Sequence, residues 1–191
     1  MKVYTNDGSS DRSTAERVKV GVADYAVAET GAELVTSGLG SCVGIALVDP
    51  EAGVAGLAHA MLPNASDGRR ETDGGSPAAV SDAREDGDAE ADEAKYVDTA
   101  VRGLLRSMVD AGADRSRIEA RVAGGSAMFE FDSGAGRIGE RNVAAAEDVL
   151  ADHGVPIVAS DVGGDHGRSL SLDASTGALS VRRAHDDTEV L

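Results

Sequence analysis

Alternation of apolar and polar positions organises the first third of the chain. Val18, Val20 and Val22 alternate with polar or small residues, and Leu34-Val35-Thr36 is a shorter apolar stretch, so each predicts a strand. Two longer apolar runs follow, Val43 to Val48 and Val54 to Leu62, separated by Asp49-Pro50-Glu51-Ala52-Gly53. Apolar runs flanking such a turn predict a β-hairpin. The period then changes. Val97, Val101, Leu104, Leu105 and Met108 recur at helical spacing up to Gly112, which predicts a helix with a glycine cap. Ile118, Ala120 and Val122 alternate as a strand. Val143, Ala146 and Leu150 predict a second helix closed by Gly154, and Pro156 to Ala159 a short buried strand. Leu170/Leu172 and Leu179/Val181 alternate around Ser175-Thr176-Gly177, a second hairpin. Strands outnumber helices and no internal repeat is visible, a mix that reads as α/β with at least one mixed sheet.

Two segments break this pattern. Residues 1 to about 15 are polar and predict a flexible tail. From about 64 to 94 the chain is Asp, Glu, Gly, Ala, Ser and Arg, with Val80 its only large aliphatic. Such a stretch cannot bury enough apolar surface to offset its ordering entropy, so it reads as a disordered acidic insertion rather than a dedicated acidic arm. The expected organisation is a tail over 1–15 and a single domain over 16–191 interrupted by that insertion. A length of 191 residues suits one domain with a real core.

Composition narrows the function. Aromatics are 3% with no Trp, so Val, Ala, Leu and Ile must build the core. The formal charge is -16, and the only lysines are Lys2, Lys19 and Lys95. Such a surface repels phosphate backbones, which argues against a nucleic-acid partner. It is tolerable where salt screens like charges over short distances, the condition of a halophilic cytoplasm. No stretch reaches the roughly 18 apolar residues of a spanning helix, and the N-terminus has no apolar signal region. A soluble, cytoplasmic protein without membrane insertion is expected. A single cysteine excludes an internal disulfide and suits a reducing compartment.

That cysteine is Cys42, in Gly38-Leu39-Gly40-Ser41-Cys42-Val43-Gly44, where a glycine-rich turn runs into the first hairpin strand. The second hairpin strand carries His59. A thiol and an imidazole on paired strands are the minimum equipment of a cysteine nucleophile. Pairing Val48 with Gly53 sets Leu47 opposite Val54 and Cys42 opposite His59, with Cβ atoms about 4.5–5.5 Å apart. A slip of one residue would send the ring to the other face, and the register that unites the two is the one predicted. An imidazolium there would lower the thiol pKa from about 8.5 into the range of roughly 3.5–7.5. The small residues Gly38, Gly40, Ser41 and Gly44 leave room for a substrate carbonyl and let backbone N–H groups approach an oxyanion. Pattern alone also allows an inert buried cysteine beside a satisfied core histidine.

Other motifs carry less. Gly38-Leu39-Gly40 is no dinucleotide fingerprint, because Val43 stands at the third glycine position and a strand follows. Gly124-Gly125-Ser126-Ala127-Met128-Phe129 lacks the lysine of a phosphate loop. Asn142 reads as a helix cap in preference to a substrate contact. His153 reads as structural, its positive charge favourable at a helix end. His166 and His185 lie in Asp-rich turns without ligand spacing and read as solvated, so neither metal nor organic cofactor is expected.

Six blocks together resemble one family. They are Leu39-Gly40-Ser41-Cys42-Val43; Leu57-Ala58-His59-Ala60-Met61-Leu62-Pro63; Lys95-Tyr96-Val97-Asp98-Thr99-Ala100-Val101; the Gly124 to Phe129 loop; Ile138-Gly139-Glu140-Arg141-Asn142-Val143; and Asp161-Val162-Gly163-Gly164 with Arg168-Ser169. In this order, from about residue 18 to 183, they resemble the CheD family of chemoreceptor glutamine deamidases. The resemblance implies an α/β/β/α layered sandwich with mixed and antiparallel sheets, related to toxins that deamidate glutamines. It implies a cysteine hydrolase acting on protein glutamine side chains, with Cys42, His59 and Thr36 as its catalytic set. It also makes the Ser126 loop a substrate-side loop, to join Gly40 and Ser41 near the oxyanion. Chemotaxis receptors would be the substrates, and a CheC phosphatase the partner that docks over the site. In such a set Cys42 attacks the carbonyl, His59 moves protons, and the Thr36 hydroxyl orients the imidazole. Two further readings remain at this point: a docking partner of the phosphatase with weak or lost deamidation, and a thiol peptidase or small-amide hydrolase using the same site.

Overall fold

The computed structural model describes residues 3–4, 16–65, 94–127, 138–184 and 188–191. Most of the tail expected over 1–15, nearly all of the acidic insertion, Met128, Phe129 and His185 lie outside the described residues; within the tail, Val3 and Tyr4 pair as a short strand. In chain order the strands are β1 (Val3–Tyr4), β2 (Glu16–Lys19), β3 (Asp24–Glu29), β4 (Ala32–Leu39), β5 (Val43–Asp49), β6 (Val54–Ala60), β7 (Glu119–Gly124), β8 (Ile157–Val162), β9 (Arg168–Asp173), β10 (Leu179–Arg183) and β11 (Thr188–Val190). Helix α1 (Val97–Asp110) precedes β7 and α2 (Ile138–Asp152) precedes β8.

The strands form two mixed sheets. One has the order β1-β3-β6-β5-β7-β8, the other β11-β10-β9-β4-β2. The first is parallel at β1–β3 and β7–β8, the second at β2–β4, and the remaining pairs are antiparallel. The two described helices lie on the six-stranded sheet, where Val101, Leu104, Met108, Ala146 and Leu150 meet Ile45, Leu47 and Val122. The other face of that sheet packs on the five-stranded one through Leu57, Ala46 and Val48 against Leu34, Leu170, Leu172, Leu179 and Val181. This is the expected α/β sandwich with mixed sheets, and its layers among the described residues run helices, sheet, sheet. The sheets pack tightly over Gly44, where a Cβ would lie 2.3 Å from Leu170 Cδ1.

The alternation that predicted a strand through Val22 ends earlier. Val18 and Val20 are buried, but β2 stops at Lys19 and Val22 is exposed in the turn to β3. Both hairpins form where expected. The first has a different register: Asp49 pairs with Val54, Leu47 with Gly56 and Gly44 with His59. The predicted pairing of Cys42 with His59 is therefore displaced by two residues.

Asp49 explains the displacement. Its setting in the sequence is that of a turn residue, yet it is fully buried and closes the strand. Its Oδ1 accepts from the Glu51 and Ala52 N–H groups, its Oδ2 from Asp114 N–H, and Arg117 donates to both oxygens at 3.1 and 2.9 Å. With Asp49 in the ladder, the four-residue turn becomes Pro50 to Gly53, and Gly53 adopts a φ of +64°. Burial pushes the Asp49 carboxyl up, but Arg117 and the three N–H groups outweigh it and hold it at about 2. Its stabilising contribution is thus complete above the ordinary carboxylate pKa and is lost as pH falls toward 2. Asp49→Ala is expected to cost about 3 kcal/mol at neutral pH, near the lower end for breaking a buried pair because Arg117 is partly exposed. Urea melts at pH 7 and near pH 2 check this, with the gap between variant and wild type closing in acid.

Candidate active site

Position parity on the hairpin decides which groups can meet. Residues 55, 57 and 59 of β6 face the other sheet, as do 44, 46 and 48 of β5. A register displaced by two keeps the face unchanged, whereas a displacement of one would reverse it. His59 therefore points into the layer between the sheets, and Cys42, just before β5, packs against that same layer. They are diagonal neighbours instead of direct opposites, a relation that places Cα atoms about 7–8 Å apart along a regular ladder.

Thr36 comes from the facing sheet. It lies on the inward row of β4 with Ala32 and Leu34, opposite Leu170. Its Oγ1 is 2.8 Å from His59 Nδ1. His59 is 0% exposed, and its Nε2 has no hydrogen-bond partner among the described residues. A buried orphan N–H is rarer than an orphan acceptor, which assigns the proton to Nδ1 and the lone pair to Nε2. The hydroxyl thus accepts from the imidazole and presents Nε2 as a base.

Cys42 is half-buried at the rim while the imidazole is enclosed behind it. Burial pushes the Cys42 thiol up, and its own backbone N–H pulls the other way without reversing the shift. Burial also pushes the His59 imidazole down. Both directions disfavour the charged forms, so enclosure between two apolar sheet faces works against the expected thiolate–imidazolium pair.

Short contacts pin the turn that carries Cys42. After Ser37, glycine at position 38 (φ +82°) permits a β-bulge that turns Leu39 inward and leads the chain into Gly40-Ser41-Cys42. The Gly40 carbonyl accepts from Ser126 N–H and the Cys42 carbonyl from Gly125 N–H, both at 2.8 Å. Asn142 Nδ2 donates to the carbonyls of Ser41 and Met61, both at 2.8 Å. The Ser126 loop is held from behind, since Gly163 N–H donates to Gly124 and Ala127 N–H to Gly164. Glycine at 124 is required because a Cβ would lie 2.4 Å from the Cys42 oxygen. Beneath this rim Asp161 takes a two-pronged contact from buried Arg168 at 3.0 and 3.1 Å and a third from Arg183.

The structure brings Thr36 and His59 into contact and sets Cys42 on their side of the sheet, with Gly40, Ser41 and Ser126 in the adjoining turns. The Ser126 hydroxyl is buried without a partner among the described residues. Two sequence readings change. Asn142 is not a cap: it lies within α2 and holds two strand ends. His153 is not a helix-end cation: burial and then Arg115 lower its pKa, and its Nδ1 is 3.0 Å from an Arg115 nitrogen. The Asp161–Arg168 pair was visible in the sequence only as part of a block, since nothing in local spacing says that the two side chains meet.

A family model described as CheD chemotactic sensory transduction matches residues 80–183. The chain is 45% identical to a Haloarcula marismortui protein named probable chemoreceptor glutamine deamidase CheD, over all of both chains. It is 38% identical to a Natronomonas pharaonis protein of the same name, over 95% of this chain and 97% of that one. It is 40% identical to the Halalkalibacterium halodurans chemoreceptor glutamine deamidase CheD, over 88% and 94%.

Proposed function

This chain belongs to the CheD family, and on that footing we propose that it is a protein-glutamine deamidase. It converts glutamine side chains of chemotaxis receptors to glutamate through a thioester on Cys42 and releases ammonia. The observation that carries this reading is the Thr36–His59 contact, which leaves an unpartnered Nε2 on the face that Cys42 shares.

As substrate binds, the Cys42 sulfur attacks the carboxamide carbon while its proton passes to His59 Nε2. Starting from a neutral pair, this transfer is part of the attack instead of preceding it. The carbonyl oxygen becomes negative at the Gly40-Ser41-Cys42 turn, where backbone donors offset it. The imidazolium then protonates the leaving nitrogen, the C–N bond breaks, and ammonia departs. In the second half His59 takes a proton from water, the hydroxide attacks the thioester, and the C–S bond breaks to regenerate the thiol. The chain acts in the cytoplasm on receptor cytoplasmic domains, and a CheC-type phosphatase is its regulatory partner.

Coexpression with receptor cytoplasmic domains, followed by mass spectrometry, tests this. Conversion of particular glutamines to glutamate is expected; backbone cleavage would mark a peptidase, and unmodified receptors with retained phosphatase binding would mark a docking protein. Thr36→Ala is expected to leave measurable turnover, lowered about tenfold, because a neutral hydroxyl orients the imidazole but stabilises its charge less than a carboxylate would. Thr36→Ser should restore most of the loss, and initial rates of ammonia release measure both.

A further inference from the structure

Asn142 stands in α2, 101 residues along the chain from Ser41, yet its side chain reaches the carbonyls of Ser41 and Met61. Both partners are acceptors, so it is the carboxamide nitrogen that must face them. The side chain is 0% exposed, and its Oδ1 has no partner among the described residues. Leaving a buried polar atom unpaired is destabilising, so helix stability alone does not account for an asparagine there.

The geometry of the peptide bond does. In a trans peptide the C=O and the following N–H lie in one plane and point in opposite directions. The Ser41 carbonyl and the Cys42 N–H belong to one such plane, and no described peptide is cis. Drawing the carbonyl toward α2 therefore turns the Cys42 N–H the other way. The neighbouring planes are held by backbone donors, Ser126 N–H on Gly40 and Gly125 N–H on Cys42. At the nucleophile's own plane the donor is a side chain. The same carboxamide grips Met61, two residues beyond His59, so one group anchors the strand ends of both thiol and imidazole.

We propose that Asn142 is a positioning residue that presets the oxyanion donor: by holding the Ser41 carbonyl it aims the Cys42 N–H at the point where the substrate's carbonyl oxygen becomes negative. This rests on the amide-hydrolase reading above and names a part of that site's machinery. Asn142 does not touch substrate; it acts through the Ser41–Cys42 peptide.

The experiment uses Asn142→Ala and the near-isosteric Asn142→Asp in the full chain, well below their melting temperatures, with two readouts. One is receptor deamidation, resolved into kcat and KM. The other is alkylation of Cys42 by iodoacetamide, a displacement that forms no oxyanion. In Asn142→Ala, kcat should fall about 10²-fold, the scale of a lost or misaimed oxyanion donor, with KM and the alkylation rate within about threefold of wild type. In Asn142→Asp, kcat relative to wild type should rise as pH is lowered. Burial raises the carboxyl pKa, and the protonated acid regains one donor. Wild-type kcat in Asn142→Ala would overturn the proposal, as would alkylation falling in step with kcat. A wild-type chain that alkylates normally but hydrolyses no amide would instead bring down the deamidase reading.

Discussion

Cys42→Ala is expected to abolish glutamine deamidation, with a loss of at least about 10⁴-fold, because in the proposed mechanism this residue supplies the bond-forming atom. Cys42 is the only cysteine in the chain, so no second thiol can act in its place. Burial raises the thiol and its own N–H opposes this only in part, so it is largely protonated at neutral pH. Its reactivity then depends on proton transfer to His59 during attack, when substrate is in place. Two measurements separate this from a preformed ion pair. Iodoacetamide, which needs thiolate, should react slowly at pH 7 and accelerate as pH rises past the ordinary thiol pKa of about 8.5. A preformed thiolate–imidazolium pair would react fast at neutral and mildly acid pH, its thiol pKa lying in the range of roughly 3.5–7.5. Ammonia release from receptor fragments gives the activity itself, and wild-type turnover in Cys42→Ala would refute the mechanism. Melting should change little, since a half-buried sulfur contributes only a small part of the inter-sheet packing.

The hairpin shows how far residue pattern reaches. Apolar runs on either side of a Pro/Gly turn were enough to place β5 and β6, and His59 keeps the expected side only because its register is displaced by an even number of residues. The register itself was not legible, because Asp49 looks like a turn residue and behaves as one only through its side chain. Its burial depends on Arg117, which lies 68 residues further on, and no local rule links the two. The same limit applies to β3, whose Tyr25-Ala26-Val27-Ala28 core has too little bulk to announce a strand. Thr36 entered the site through family resemblance, because a threonine in a strand is unremarkable until a histidine of the facing sheet is set against it. The directions of the thiol and imidazole pKa shifts were likewise out of reach, because they come from the enclosure that both sheets create together. Asn142 was visible as a polar residue near a helix start. Only the fold shows that this turn of α2 abuts the end of the β5–β6 ladder.

His59→Ala is expected to cost about 10³–10⁴-fold in kcat, toward the upper end of what general acid–base catalysis supplies. In the proposed mechanism the same imidazole serves twice, as base in the attack and in thioester hydrolysis, and as acid toward the leaving nitrogen, so its loss impairs each half-reaction. What remains is the thiolate present by simple titration, a small fraction at pH 7 for a thiol raised by burial. The variant should therefore gain activity steadily with pH through the thiol's range. Wild type should instead hold a plateau, because burial keeps the imidazole neutral to below its ordinary pKa of about 6.5. Its acid limb falls where His59 finally protonates. Its alkaline limb falls where the thiol ionises, leaving the shared proton unavailable for departing ammonia. Because alanine leaves a space between the sheets and strands the Thr36 hydroxyl, His59→Asn serves as a second variant. Its amide can still donate toward Thr36, but it cannot take up a proton. Equal loss in both variants, with alkylation of Cys42 at high pH preserved, assigns the effect to proton transfer. Substantial kcat retained in His59→Asn would show that the ring serves only to fill space and to bridge the sheets through Thr36.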